Sequence, residues 1–203
     1  MNLFETTLSY YNINAETFVA GTQSVDFTST QTKFLSKLSS GSLILDFGCG
    51  SGRDTKYFLE HGMRVHAIDG SEKLCKIASA YTGIQVKQML FQQFHQTDTY
   101  DGIWACSSIL HLPKQQLLTV MRQLINALTE HGILYTSFKY GTFEGMRNGR
   151  YFTDFTESAF QEFMLNINDV VIDDLWVTAD VRKNRGNEKW LNLILQKTSH
   201  TKP

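Results

Sequence analysis

Proline is nearly missing from this chain: of 203 residues, only Pro113 and Pro203 are proline. There is also no Pro/Ser-rich stretch, repeat or low-complexity run, so nothing reads as a linker and one domain is the economical organisation. Cysteine is scarce as well. Cys49, Cys75 and Cys106 are odd in number, widely spaced and without a CxxC pair. That excludes a disulfide framework and a cysteine metal knot, no metal is expected, and a reducing cytoplasm is the natural compartment. Positive charge is not in excess, since 19 Lys and Arg face 20 Asp and Glu for a net charge of −1. Binding to a nucleic-acid backbone or an anionic membrane rests on such an excess, so neither is an expected partner. No apolar run approaches a membrane span, and "MNLFETTLSYYNINAE" has no basic segment leading into an apolar one. What is present is an ordinary globular balance, 42% hydrophobic and 19% charged, enough for a substantial core.

Periodicity then places the elements. "INAETFVAG" and "TSTQTKFLSKL" read as helices, the second with Phe34, Leu35 and Leu38 on one side, and Tyr10 and Tyr11 precede them. "SLILDF" is a continuous apolar run, as expected of a strand buried on both faces. "RDTKYFLEHG" is a short helix closed by Gly62, and "RVHAID" a second strand. Ser71 caps the helix "SEKLCKIASAY", and "IQVKQM" is a third strand. "YDGIWACSSIL" is a fourth strand, followed by the helix "KQQLLTVMRQLINALTEHG", whose stripe of Leu117, Met121, Leu124, Ile125 and Leu128 ends at Gly132. "ILYTSFKY" is a fifth strand; a short helix lies around Ser158 to Phe163, and "VVIDDLWVTADV" and "KWLNLILQKT" close the chain as long strands. Alternating strand and helix imply a parallel sheet with right-handed crossovers. The link "RKNRGNE" is too short for a crossover helix, so the last two strands form an antiparallel hairpin. The fold expected is α/β: a doubly wound, Rossmann-like seven-stranded sheet, mostly parallel, with a C-terminal antiparallel hairpin.

The stretch "SLILDFGCGSGRD" carries the chemistry. Its glycines follow the first strand and open a helix, at the carboxyl edge of the sheet where ligands bind in such folds. Glycine accepts positive φ and lets a ligand approach the backbone. Asp69 ends the second strand, where an acid can accept hydrogen bonds from both hydroxyls of a ribose. Loop, acid and alternation together point to a nucleoside-containing ligand. The dinucleotide pattern needs its third glycine at position 53, which is Arg53; the glycines fall at 48, 50 and 52. That disfavours NAD and FAD.

The string "LDFGCGSGRD", with "IDGS" at the next strand end and the closing hairpin, resembles the class I S-adenosylmethionine-dependent methyltransferases. Within that class "YYNINAETF", "DGIWACSSILHL", "LYTSFKYG", "GRYFTDFTE" and "WLNLILQK" are similar to the small bacterial type related to the tellurite-resistance methyltransferases. The resemblance implies S-adenosyl-L-methionine as cofactor, with Gly48 and Gly50 under its methionine part, Asp69 at the ribose, Ile68 or Ser71 and Phe91 as walls of the adenine, and Cys49 and Gly70 in the same cofactor-binding set. Leu90 and Phe91 would border the adenine; the class often has an acid there, and the nearest here is Asp98. It further implies a lid from the N-terminal element, with Tyr11, and less firmly Phe18 and Thr22, over the cofactor. Ala105 and Cys106, at the end of the fourth strand, would face the transferable methyl. Asp46 either anchors the glycine-loop amides, sits near the cofactor's positive end through water, or is purely structural, and Arg53 would fix the loop or meet the methionine carboxylate.

The remaining candidates belong to the acceptor side. His111 is either a packed loop histidine or a base facing the acceptor. Cys106 has no cationic partner in sequence to make it a nucleophile. "KYGTFEGMRNGRYF" is glycine-rich, aromatic and basic without apolar periodicity, and reads as a mobile active-site loop presenting Lys139, Tyr140, Arg150 and Tyr151. The rival reading ties Arg150 to Asp154 or Glu157. "RKNR" at 182–185 reads as a solvated hairpin tip. The domain expected is 1–39 as a helical lid, 40–140 as the cofactor-binding core, and 141–203 as substrate loop and hairpin. The function expected is methyl transfer to a small, polar or anionic acceptor by a monomer or weak homodimer. Nicotinamide-dependent oxidoreduction and a non-catalytic cofactor-binding module are the alternatives.

Overall fold

The apolar run Leu43–Phe47 forms β1 in the middle of a seven-stranded sheet. The computed structural model describes residues 3–182 and 185–199; the tip residues 183 and 184 and the chain ends at 1–2 and 200–203 lie outside it. The other strands are β2 (Arg64–Asp69), β3 (Val86–Gln88), β4 (Tyr100–Ala105), β5 (Leu128–Lys139), β6 (Glu144–Arg147), β7 (Arg150–Thr153), β8 (Val170–Ala179) and β9 (Lys189–Lys197). The large sheet runs β3-β2-β1-β4-β5-β9-β8. Its first five strands pair in parallel, whereas β9 lies antiparallel between β5 and β8. The expected α/β architecture is the one observed.

The helices are α1 (Leu3–Ile13), α2 (Ala15–Thr22), α3 (Thr28–Leu35), α4 (Arg53–Glu60), α5 (Glu72–Thr82), α6 (Lys114–Ala127) and α7 (Glu157–Met164). Alternate residues of the central strands serve opposite faces. Leu45, Phe47, Ile103 and Ala105 join Leu117, Met121 and Leu124 of α6. Ile44 and Trp104 join Phe34 of α3 and Phe58 of α4 on the other side. This is why β1 reads as a continuous apolar run: neither face meets water. At the end of α4, Gly62 donates to Leu59 O and Met63 to Phe58 O, the bonding of a Schellman cap. Ser71 caps α5 by accepting from Leu74 N at 3.2 Å.

Three expectations need correction and one needs completing. Tyr10 and Tyr11 do precede α2, but they themselves lie within a further helix, α1. Helix α6 ends at Ala127, and Leu128 to Gly132 open β5 instead, where pairing jumps from Tyr100↔Leu128 to Gly102↔Ile133. Gly132 is packed against Tyr100 O and Thr129 O in that irregularity. The fourth strand stops at Ala105, leaving Cys106 in the turn beyond. Finally, the loop after β5 is a hairpin, β6 and β7, turned by Asn148 (φ 51°) and Gly149 (φ 75°). Asn-Gly with both residues at positive φ is the favoured two-residue hairpin turn, a signal present in the sequence and unread.

Candidate active site

One large cleft opens at the carboxyl edge of the parallel strands, roofed by α1 and α2 and closed at its far end by residues of β8 and β9. Its floor is the glycine turn. Gly48 N and Cys49 N both donate to Ile68 O, tying the turn to β2. Gly50 (φ 55°) faces Phe18 so closely that a Cβ would lie 3.0 Å from its ring. Gly52 serves packing: a Cβ there would meet Thr82 of α5 at 2.9 Å.

Asp69 is buried beside this turn. Its Oδ2 accepts from Gly50 N at 2.9 Å and its Oδ1 from Ser71 N at 2.8 Å. Burial pushes its carboxyl up from the ordinary value, against those backbone donors. Each oxygen keeps a lone pair for a further donor, which suits a vicinal diol. Leu90 and Phe91 line the cleft past Gly70; Phe91 stacks on Phe47 with centroids 4.6 Å apart. Asp98 takes no part, being ion-paired with Lys197 at 2.6 Å.

Beneath the turn sits a second carboxylate cluster. Arg53 grips Asp54 with Nε and Nη2 at 2.8 and 2.9 Å, and Asp54 also accepts from Trp104 Nε1 and Gln31 Nε2. Burial raises the Asp54 carboxyl, but the guanidinium and these donors outweigh it and hold it below the ordinary value. Asp46 fares differently: burial, then the neighbouring Asp54 charge, push it up to about 8, and Thr55 Oγ1 lies 2.5 Å from it. Burial likewise pushes the Cys106 thiol up to about 12, so it is no thiolate nucleophile at neutral pH.

On the roof, Tyr11 Oη lies 2.7 Å from His111 Nε2, while His111 Nδ1 lies 2.6 Å from Tyr151 O. A carbonyl only accepts, so Nδ1 carries the proton and Nε2 accepts from the phenol. Burial lowers His111 to about 4 and keeps it neutral. Asn12 of α1 accepts from Ser71 Oγ at 2.7 Å, and Thr7 Oγ1 accepts from Tyr151 N. Helix α1 is thereby pinned to both α5 and β7.

Tyr11, Gly48, Cys49, Gly50, Arg53, Asp69, Gly70, Leu90, Phe91, Cys106, His111, Lys139 and Arg150 all line the cleft. Asp46, Ser71, Ala105 and Tyr140 do not. Ser71 and Asp46 act from behind, through Asp69 and Thr55; Ala105 is fully buried in the core. Tyr140 turns outward to Glu157 Oε2 at 2.7 Å, because its neighbour Lys139 takes the inward direction of the strand. Lys139 is engaged by Asp180 and Glu188. Tyr151 is buried, its hydroxyl on Glu144. Neither suggested tie of Arg150 forms; Asp154 is held by Arg147 and Glu157 by Tyr140.

The far wall was not anticipated. Asp180, Arg182 and Trp190 border the cleft, with Arg182 Nε and Trp190 Nε1 donating to Asp180 at 2.9 and 3.0 Å. The stretch read as a solvated tip begins at the cleft, and no local pattern in it announces that.

Residues 44–132 match the family model described as a methyltransferase domain. The chain also superposes on solved structures over nearly its whole length. One is the 1,6-didemethyltoxoflavin-N1-methyltransferase of Burkholderia thailandensis, solved with 1,6-didemethyltoxoflavin and S-adenosylhomocysteine (TM-score 0.79, 19% identity, 98% of this chain and 92% of that chain). This is the fold of the S-adenosylmethionine-dependent methyltransferases. A second methyltransferase with this fold is the magnesium protoporphyrin IX methyltransferase of Synechocystis, solved with S-adenosylmethionine (0.75, 16%, 98% and 98%). A third is the N-methyltransferase NodS of Bradyrhizobium japonicum, with S-adenosylhomocysteine (0.69, 16%, 93% and 98%). No curated sequence matches the chain. Among the described residues there is no group of three metal-ligating side chains and no helix long and apolar enough to cross a membrane.

Proposed function

We propose that this protein transfers a methyl group from S-adenosylmethionine to a small polar or anionic acceptor by in-line displacement. The observation that carries the reading is Asp69: a buried carboxylate at the tip of β2, tied to the glycine turn, with spare lone pairs facing a cleft walled by Leu90 and Phe91. That donor and acceptor set fits an adenosine ligand, with Asp69 on the ribose hydroxyls, Gly70 and Ser71 behind it, and Leu90 and Phe91 against the adenine. Gly48, Cys49 and Gly50 would pass under the methionine part, Tyr11 and Phe18 would cover it, and Arg53, locked on Asp54, would fix the loop. Asp46 and Ala105 would support this floor from the core.

When bound, the cofactor supplies an electrophilic methyl and its own leaving group. The protein's task is then to orient the reactants and exclude water, which can be worth about 7–11 kcal/mol. Helices α1 and α2 do the excluding, as a lid over residues 40–140. Cys106 and Ser107 border the place where the methyl would lie, and His111 and Lys139 stand on the acceptor side. The closer kinship to the tellurite-resistance type rests on the sequence strings quoted above, and a cytoplasmic monomer or weak dimer belongs to the same proposal.

Calorimetry with S-adenosylmethionine, S-adenosylhomocysteine and NADH tests the cofactor. Binding of the first two and not the third is expected; the reverse would sink the reading in favour of an oxidoreductase. Transfer of label from the cofactor methyl to a panel of small acceptors then separates an enzyme from a binding module.

A further inference from the structure

Among the described residues five cationic side chains line the cleft, and four of them are already neutralised. Arg53 is taken by Asp54, Lys139 by Asp180 and Glu188, Arg182 by Asp180, and Arg185 by Glu188 at 3.8 Å. Arg150 differs. Among the described residues no carboxylate pairs with it, its Nε is buried without a hydrogen-bond partner, and Nη1 makes only a long contact of 3.4 Å to Tyr11 Oη. Its guanidinium lies over Tyr10 at 4.5 Å and Phe152 at 5.1 Å from the ring centroids. Arg147, three residues earlier on the same hairpin, shows what is missing: a carboxylate held on both prongs, at 3.0 and 3.1 Å. Aromatic faces soften the partial desolvation of this half-buried guanidinium but leave its buried Nε donor unmet, which is costly. Burial raises the phenol of Tyr11 and keeps His111 neutral, so neither neighbour adds a negative charge.

Resting on the methyltransferase reading, we propose that Arg150 receives a carboxylate or similar planar oxyanion carried by the acceptor on an apolar body. Planar bidentate recognition is what a guanidinium fork does best. Apolar surface for the remainder of such a molecule is at hand, since the guanidinium lies over Phe152, and Leu110 and Leu112 line the same cleft. A carboxylate could also come from the cofactor's own amino-acid end. Position favours the acceptor: the methyltransferase family model covers residues 44–132, whereas Arg150 stands on β7, outside that shared segment. An element outside the common cofactor-binding part is where a chain places its individual specificity.

The test uses the full chain saturated with S-adenosylhomocysteine, titrated with sodium benzoate and, as the uncharged counterpart, benzamide. Benzoate should bind, and Arg150→Met should weaken it by at least about tenfold, the loss of a charge-assisted hydrogen bond. Benzamide should bind less tightly and be indifferent to the change, while S-adenosylhomocysteine affinity stays within about threefold. Should the Met variant fail to fold, the Nε–Hε resonance of Arg150 in the unmodified protein gives the same answer: it should shift with benzoate and not with benzamide. Equal benzoate binding by both proteins, no benzoate binding at all, or an unmoved resonance would overturn the proposal. So would a tenfold loss of S-adenosylhomocysteine affinity in a folded Arg150→Met, which would assign the anion to the cofactor. Failure of the unmodified protein to bind S-adenosylhomocysteine is a separate result and removes the methyltransferase reading itself.

Discussion

Asp69 has two duties in one carboxylate. It holds Gly50 N and Ser71 N, and under the proposed function it also receives the ribose. Asp69→Ala should therefore weaken S-adenosylhomocysteine binding by about 1.5–3 kcal/mol, a hydrogen bond to a charged group. It should also lower thermal stability of the free protein, since two buried N–H groups lose their acceptor. Calorimetry on the variant decides the ribose role, which an unchanged affinity would rule out.

His111 makes a pH prediction of definite sign. Its folded value, lowered to about 4 by burial, lies below the ordinary 6.5. The unfolded chain thus takes up a proton near pH 6.5 that the folded chain refuses until about 4. Stability from this site is fully present above 6.5 and is lost as the pH falls through that window. Denaturant titrations at pH 7 and 4.5 should show His111→Gln losing less stability on acidification than the unmodified chain; equal losses would mean the histidine is accessible to water and protons.

At the scale of elements, the segment read as a mobile loop is instead the β6–β7 hairpin, an ordered arm against α1. Its turn is the weak point. Gly149 has φ 75°, and a Cβ there would stand 3.2 Å from Tyr10 Cδ2. Gly149→Ala should cost about 1–2 kcal/mol from the left-handed backbone alone. The crowded Tyr10 should also loosen α1 from the hairpin. Asn148→Gly, at φ 51°, should be nearly neutral. Denaturation midpoints of the two variants check this, and a Gly149→Ala protein as stable as the parent would show that the turn relaxes freely.

The helix boundaries teach a related lesson. The stripe from Leu117 to Leu128 continues at helical spacing past the true end, because Leu128 is wanted in the core whichever element carries it. Periodicity registers burial and does not by itself distinguish a last helical turn from a first strand residue.

For the whole molecule, the buried carboxylates under the glycine turn set a second pH response, opposite in sign to that of His111. Asp46 is raised by burial and by Asp54 to about 8, so the folded protein keeps a proton that the unfolded chain gives up near pH 4. Stability from this site is present at low pH and is lost as the pH climbs through 4 to 8. Between 6.5 and 8 the histidine no longer compensates. Asp46→Asn, uncharged at every pH, should flatten the decline of melting temperature between pH 6.5 and 8 in the ligand-free protein. A decline as steep as the parent's would show that Asp46 is already ionised at neutrality.

By itself the sequence determined the order of the elements and the glycine turn with its strand-end acid. A buried strand, a glycine turn and an acid at the next strand end are adjacent in the chain, and their chemistry is local: backbone conformation, close approach, a carboxylate at a fixed offset. Gly48, Gly50, Asp69 and the order of the elements were legible for that reason. The far wall of the cleft was decided only in three dimensions. Strand β9 slots between β5 and β8 and so brings Asp180, Arg182 and Trp190 to Lys139, forming a wall from residues some 40 to 50 positions apart. The same closure neutralises Lys139. Within the β6–β7 hairpin Arg147 takes Asp154, which leaves Arg150, among the described cations that line the cleft, without a carboxylate partner. Which of several basic residues remains unpaired depends on the distances among all of them, and a linear pattern of residue types holds no such distances.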